Sequence, residues 1–476
     1  MAAKKKILFS AAEVLPFAAT GGLGEVAGSL PEALSATGKF DVRVVTPLYG
    51  EIESYWREKM TFLGSTAVEL AWRRIYCGLF SLEKNGVTYY FIDNEYYFKR
   101  SSGLYGYFDD GERYAFFCKA VLECLPLMDF MPDIIHAHDW QSALLPIYLS
   151  YRYDYPQIRT VFTIHNVEYQ GKYDLSILGD VFALPPEAAS VVEYDGCINL
   201  MKGALECSDV ISTVSATYVQ ELRTPEYGQG LHPIIERNSR KLIGILNGID
   251  VVGYDPSQDD LIFEKFSAKE FDKKAINKEE LQKLAGLPVE PNVPVMAVIS
   301  RLAGHKGVEL ICQAAEELLQ GDVQIIILGK GEVRYEDWLR SLQEKYPTKM
   351  SAMITYNKDL SRKVYAGADI LLMPSKSEPC GLSQMSACRY GTVPIVRATG
   401  GLKDSIRDNA QPDGIGFVFE EYSAGGLLGA AYRAIDLYKD KQAWKALCIR
   451  AMEEDFSWDR SAGVYAEMYE NISASY

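Results

Sequence analysis

The chain has 476 residues, room for two to four domains of roughly 100–200 residues each. A hydrophobic share of 48% with 24% charged residues supplies an ample core, which excludes a disordered or fibrous chain. Sixty-four acidic against 49 basic residues leave a net charge of −15, a field that opposes nucleic-acid backbones and anionic membranes. An anionic substrate therefore needs a local basic patch, and a neutral polymer is an equally suitable partner.

No apolar run approaches the roughly 20 residues of a membrane helix. The basic and briefly apolar start is followed by Glu13 and a Gly-rich turn, which suits a first buried strand better than a signal peptide. Nine cysteines, odd in number and without a C-x-x-C pair, argue against a disulfide framework or a zinc site. Reduced thiols in the cytoplasm are the simple reading.

In chain order, the pattern predicts a strand over 6–10, a loop at Thr20-Gly21-Gly22-Leu23-Gly24, an amphipathic helix over 25–37 and a strand over 41–46. That is a βαβ opening. Strands follow over 88–92, 134–136, 160–165 and 210–214, with a helix over 113–127 among them. A second opening starts near Pro294: strand 295–300, polar loop 301–307, helix 308–319 and strand 323–328. Then come a strand over 353–355, a helix over 360–366, a strand over 370–373, a helix over 382–389 and a strand over 393–396. Two doubly wound α/β halves are expected, joined between Asn247 and Pro294, where the polar, Lys-rich stretch 259–283 has no strand pattern. Thr20-Gly21-Gly22-Leu23 recurs as Thr399-Gly400-Gly401-Leu402. Ligands in such sheets bind beyond the carboxyl ends of strands, so two facing sheets predict an interdomain cleft with a Gly-rich lip on each side.

Five groups of residues carry possible chemistry. Gly21 and Gly22 permit close backbone approach at a helix start, either as an anion site or as a plain tight turn; the pattern is not G-x-G-x-x-G, so a dinucleotide fits poorly. Arg301 and Lys306 leave a strand end on one loop, where a phosphate is met by a guanidinium fork and an ammonium, unless both are simply solvated. Glu378 precedes a helix whose first amides, Cys380, Gly381, Leu382 and Ser383, can face a ligand; the carboxylate either takes sugar hydroxyls or is an ordinary helix-start acid. Cys380 follows proline and has no nearby histidine, which makes it a poor nucleophile. His136, His138, Asp139 and His165 end two predicted strands; without a metal-binding spacing they suit hydrogen bonds to a sugar, with His136 the best fit to a core histidine. Tyr356 stands just past a strand, where a nucleobase can stack.

Taken together and in this order, several segments resemble one family. They are Thr20-Gly21-Gly22-Leu23-Gly24, His136-Ala137-His138-Asp139-Trp140, Phe162-Thr163-Ile164-His165-Asn166, Leu246-Asn247-Gly248-Ile249-Asp250, Ile299-Ser300-Arg301-Leu302, Ser377-Glu378-Pro379-Cys380-Gly381-Leu382 and Arg397-Ala398-Thr399-Gly400-Gly401-Leu402. The chain resembles, over nearly its whole length, the bacterial glycogen synthases and plant starch synthases. These are retaining glucosyltransferases of the glycosyltransferase-B fold. The resemblance implies transfer of glucose, with retention, from a nucleotide-diphosphate glucose, read here as ADP-glucose, to the non-reducing end of an α-1,4-glucan. No metal or other cofactor is expected, since Arg301 and Lys306 can stabilise the leaving group and the sequence offers no carboxylate cluster for a metal. It implies that Arg301 and Lys306 hold the leaving diphosphate, that Glu378 orients glucose hydroxyls, and that His165 and Asp139 flank the donor glucose. Gly21, Gly22, Asn247 and the amides of Cys380, Gly381, Leu382 and Ser383 then line the donor, with Tyr356 on its base. Domains are expected over 1–247 and 248–457, with a helix over 458–476 crossing back to the first.

Two departures matter. Where the family commonly has Lys before Thr-Gly-Gly-Leu, this chain has Ala19, which removes one cation and leaves ADP- against UDP-glucose open. Ser386 stands where cousins of the family carry a second Glu, which favours the synthase type. The rival readings are a retaining transferase with UDP-glucose or a small acceptor, a non-catalytic glucan-binding relative, and, weakest, a dehydrogenase.

Overall fold

The computed structural model describes residues 4–355 and 357–473. The described residues of Met1–Gly248 and Trp458–Tyr476 form one compact unit, and those of Ile249–Ser457 another.

The strands of unit 1 are β1 (Lys5–Ser10), β2 (Phe40–Pro47), β3 (Thr61–Leu70), β4 (Arg73–Lys84), β5 (Val87–Asp93), β6 (Ile134–His138), β7 (Arg159–Ile164), β8 (Lys172–Tyr173), β9 (Glu193–Tyr194), β10 (Cys197–Asn199), β11 (Val210–Thr213) and β12 (Leu242–Gly244). Its main sheet has the order β12-β11-β7-β6-β1-β2-β5-β4-β3. Pairing is parallel from β12 to β5, and β4 and β3 extend the edge antiparallel. From β1 the chain adds β2 and β5 on one side and β6, β7, β11 and β12 on the other. The order therefore reverses between β1 and β6, and the crevice beyond their carboxyl ends is the place where such sheets bind ligands.

Unit 2 contains β13 (Val295–Ile299), β14 (Gln324–Leu328), β15 (Met350–Met353), β16 (Ile370–Met373), β17 (Val393–Arg397) and β18 (Phe417–Phe419). All pair in parallel, in the order β15-β14-β13-β16-β17-β18, so the reversal lies between β13 and β16. Successive residues of β13 point into different cores: Met296 and Val298 into one, Val295 and Ala297 into the other. Helices cover both faces, which is why β14 after Gln324 reads as a continuous apolar run, Ile325 to Leu328, rather than an alternating one.

Several elements differ from the sequence expectation. The first helix spans Gly22–Ala36, starting in the glycine loop instead of at Glu25. The β3–β4 hairpin was not foreseen, because its residues are only half buried and the apolar signal is diluted. The strand expected over 353–355 is β15 and ends at Met353. The Lys-rich stretch contains no strand, as expected, but its helix Lys274–Leu284 packs within unit 2 through buried lysines. Lys274 donates to the carbonyls of Ala366 and Tyr390 and to the Thr392 hydroxyl at 2.7–2.9 Å, and burial pulls its pKa down to about 8. Lys278 pairs with Asp369 at 2.8 Å. The last helix, Trp458–Ser473, belongs to unit 1, where the Tyr469 hydroxyl meets His136 Nδ1 at 2.7 Å.

All nine cysteines are free thiols. Among the described residues, no helix is long and apolar enough to cross a membrane.

Candidate functional site

In unit 2, the chain leaving β13 carries Arg301, one turn of 3-10 helix at Gly304–Lys306, and Gly307. Gly307 has a φ of 73°, and a Cβ there would lie 2.0 Å from the Pro374 carbonyl, at the end of β16. Only glycine tolerates that combination, so this position presses the β13 loop against the β16 loop. The Lys376 amide seals the contact by donating to the His305 carbonyl at 2.9 Å. The two loops meet at the order reversal of the sheet.

Their side chains form an ion pair there. The Lys306 ammonium donates to both Glu378 oxygens, at 2.8 and 2.7 Å, and the Ser375 hydroxyl adds a third hydrogen bond at 3.0 Å. Glu378 is 6% exposed. Lys306 has three N–H donors, of which two are committed, leaving one for a ligand. Arg301 is exposed, and its guanidinium makes no hydrogen bond or ion pair with the described residues. Unit 2 thus presents one net positive charge at this point.

The Glu378–Gly381 turn is held from below. The Gly401 amide donates to the Glu378 carbonyl at 3.1 Å, and a Cβ on Gly400 would sit 2.0 Å from that same oxygen. Gln384 Nε2 donates to the Gly381 carbonyl at 2.9 Å and to the Cys380 carbonyl at 3.2 Å. The recurrent Thr399-Gly400-Gly401-Leu402 segment is therefore a cradle for this turn. Gly381, at φ 71°, lets the chain pass Leu382 into helix Ser383–Arg389, whose first amides lack intrahelical acceptors.

Unit 1 shows a parallel arrangement at its own reversal point. After β1, the buried Glu13 carboxylate accepts from the Thr20 and Gly21 amides at 2.5 and 3.0 Å, from the Thr20 hydroxyl at 2.8 Å, and from the Tyr105 hydroxyl at 2.8 Å. The glycine loop is thus organised by an internal carboxylate, and the Gly21 amide is already used. Glu13 thereby fixes the two residues that lead into helix Gly22–Ala36. Gly24 is required because a Cβ there would meet the Ala19 Cβ at 2.3 Å.

After β6, Asp139 adopts φ 54°, the left-handed region that is strained for a residue with a Cβ. Its Oδ1 accepts the His165 amide at 2.8 Å and the Asn166 amide at 3.4 Å. Burial nevertheless pushes the carboxyl up to about 7. The neighbouring His138 meets the His165 ring, Nδ1 to Nε2, at 2.9 Å. Burial pulls His165 down to about 3 and holds His138 and His136 well below the usual histidine range, so all three are neutral at physiological pH. His136 is tied on both sides, to the Tyr469 hydroxyl and to the Thr163 hydroxyl at 2.5 Å. It is a core histidine. Asn247, past β12, is 5% exposed, and its Oδ1 has no hydrogen-bond partner among the described residues.

Every site residue expected from sequence falls at a strand end or helix start of its unit except Tyr356, which lies outside the described residues. Sequence reasoning missed Glu13, Ser375 and Gly307. Glu13 had a usable signal, an acid between an apolar strand and a Gly-rich loop. Among the described residues, no group of three or more His, Cys, Asp or Glu side chains is placed to hold a metal ion.

Residues 6–237 match the family model for the starch synthase catalytic domain, and residues 279–446 the model for group 1 glycosyl transferases. The chain is 46% identical over 475 residues to a glycogen synthase of Desulforamulus reducens, covering 98% of both chains. It is 44% identical over 477 residues to that of Anoxybacillus flavithermus, again covering 98% of each. Among solved structures, the catalytic domain of starch synthase IV from Arabidopsis thaliana, bound to ADP and acarbose, superposes with a TM-score of 0.91 at 33% identity. That match covers 99% of this chain and 100% of the other. A sucrose-phosphate synthase from Thermosynechococcus elongatus shares the fold, with a TM-score of 0.62 at 16% identity over 99% of this chain and 100% of the other.

Proposed function

The chain belongs to the glycogen synthase and starch synthase family of glycosyltransferases, and from that membership we propose that it extends an α-1,4-glucan with glucose drawn from ADP-glucose. Its fold is that of the glycosyltransferase-B enzymes, and its reaction is hexosyl transfer. The choice of ADP rests on the nucleotide bound to the starch synthase neighbour. The observation that carries the catalytic reading is the strand-end group of unit 2: an exposed Arg301, unpaired among the described residues, on the same loop as Lys306, which is itself locked to a buried Glu378.

Breaking the bond between the anomeric carbon and the diphosphate oxygen leaves negative charge on the diphosphate and positive charge at carbon. Arg301 takes the diphosphate as a two-pronged donor, and Lys306 adds its remaining N–H. The first amides of the helix after Gly381 contribute dipoles of the right sign. These groups are set before reaction, so stabilising the transition state requires little reorganisation. Glu378, held by Lys306 and Ser375, accepts from sugar hydroxyls. In unit 1, His165 would face the donor glucose, with Asp139 holding its backbone; Gly21, Gly22 and Asn247 would line the donor, and Tyr356 would stack on its base. The acceptor 4-hydroxyl attacks on the face the diphosphate leaves, passing its proton to a departing phosphate oxygen, so configuration is retained. Nine free thiols fit a reducing compartment, and we assign the cytoplasm.

The test is incorporation of labelled glucose into a maltooligosaccharide from ADP-glucose, with UDP-glucose in parallel. Label entering from ADP-glucose is the expected result. Label entering only from UDP-glucose would correct the donor, and glucan binding without transfer from either would overturn the reading.

A further inference from the structure

The adjacent residues His138 and Asp139 grip His165 in two different ways. Asp139 holds its backbone amide, and His138 holds its ring at 2.9 Å between Nδ1 and Nε2. The His138 ring has no freedom of its own. It is fully buried and packs in a cluster of three rings with Phe9, stacked at 5.3 Å and 21°, and His136, at 4.1 Å and 30°, which also touch each other at 4.8 Å. Its second nitrogen, Nε2, is enclosed and has no hydrogen-bond partner among the described residues. His136 cannot serve it, because both His136 nitrogens are engaged elsewhere.

That orphan nitrogen settles where the protons lie. Each neutral imidazole has one N–H, and one of the two rings must donate in the shared hydrogen bond. If His165 Nε2 donated, the proton of His138 would sit on Nε2, a buried N–H with nothing to receive it. If His138 Nδ1 donates, Nε2 is only an unused lone pair. Buried orphan N–H groups are rarer than under-used acceptors, and a buried donor without a partner bears the full desolvation cost. The second arrangement then leaves His165, a partly buried residue, with its proton on Nδ1.

We infer that His138 is a positioning residue that fixes His165 in the Nδ1–H tautomer, so that His165 meets the sugar as a hydrogen-bond donor. The substrate oxygen it touches must then be an acceptor. This consequence rests on the proposed placement of His165 beside the donor glucose; the tautomer itself does not.

The chain has only five histidines, which makes the test direct. Full-length protein labelled with 15N in the histidine rings is measured by long-range proton–nitrogen correlation, with the His165 signals identified by their loss in His165→Asn. The expected spectrum shows a pyrrole-type Nδ1 and a pyridine-type Nε2 for His165. The reverse pattern in the unaltered protein overturns the inference, whatever the activity assay shows. In His138→Phe, His165 should revert to the Nε2–H form that free imidazole side chains prefer; an unchanged spectrum removes His138 from the role. His138→Asn, which keeps an N–H near the old Nδ1 position, should restore the Nδ1–H signal. Kinetically, His138→Phe should lower kcat roughly tenfold, the scale of one hydrogen bond, with little change in KM for ADP-glucose and recovery in His138→Asn. Equal loss in the two variants would point to packing alone and overturn the positioning role.

Discussion

Replacing Lys306 by Met tests whether the ion pair is both structural and catalytic. The substitution keeps the aliphatic stem and deletes the ammonium that reaches both Glu378 oxygens at 2.7–2.8 Å. Glu378, 6% exposed, would be left with the Ser375 hydroxyl alone. Stranding one member of a fully buried pair costs about 3–5 kcal/mol. The Lys306 side chain is 22% exposed, so water can reach part of the vacated space, and roughly 2–3 kcal/mol is the reasonable expectation. For a unit of about 200 residues this lowers Tm by roughly 4–12 °C, read by calorimetry on the full chain. Loss of the remaining donor to the diphosphate should reduce kcat by about 10² or more. The double variant Lys306→Met/Glu378→Gln removes the stranded charge and should regain about 1–2 kcal/mol of stability without regaining activity. If Lys306→Met leaves the unfolding transition in place, or if the single and double effects simply add, the pair is not coupled as described.

Other substitutions separate geometry from charge. Gly307→Ala places a Cβ 2.0 Å from the Pro374 carbonyl at φ 73°, forcing the β13 and β16 loops apart; kcat should fall by about 10² because a displacement near 1 Å is enough, and wild-type kinetics would refute it. Arg301→Ala should lose a similar factor in kcat with Tm unchanged, since the guanidinium has no partner among the described residues; a drop in Tm would reveal a structural role. Gly429→Ala, in helix Ala424–Lys439 with open space around the new Cβ, should stabilise by about 0.5–1 kcal/mol in urea titration, and destabilisation would count against the local geometry. For pH, His165 at about 3 contributes stability that is complete above 6.5 and is lost as pH falls towards 3. Asp139 at about 7 contributes stability that is present below 3.8 and is lost as pH rises through 7. Between pH 4 and 6.5 these slopes oppose, so Asp139→Asn should make acid destabilisation steeper by up to ~1.4 kcal/mol per pH unit; an unchanged slope in urea melts would refute the Asp139 shift.

Much of this protein could be read along the chain. The alternation of short β-rich runs with amphipathic helices, each set by side chains within a window of ten or so residues, determined an α/β architecture with two sheet-forming stretches. Gly21, Arg301 and Glu378 could be placed at strand ends for the same local reason, and the order of the motifs pointed to the family. Which strand ends lie together was decided only by the sheets. Lys306 and Glu378 are 72 positions apart and pair because β13 and β16 are neighbours at an order reversal. His136 and Tyr469, 333 positions apart, join because the terminal helix folds into unit 1. The sheets also decided that Glu13 organises the glycine loop and that Lys274, one charge in a polar stretch, is a buried donor. Periodicity records how one residue sits relative to its near neighbours in sequence, whereas a hydrogen bond between distant loops depends on strand order and burial, which arise only when the whole sheet has assembled.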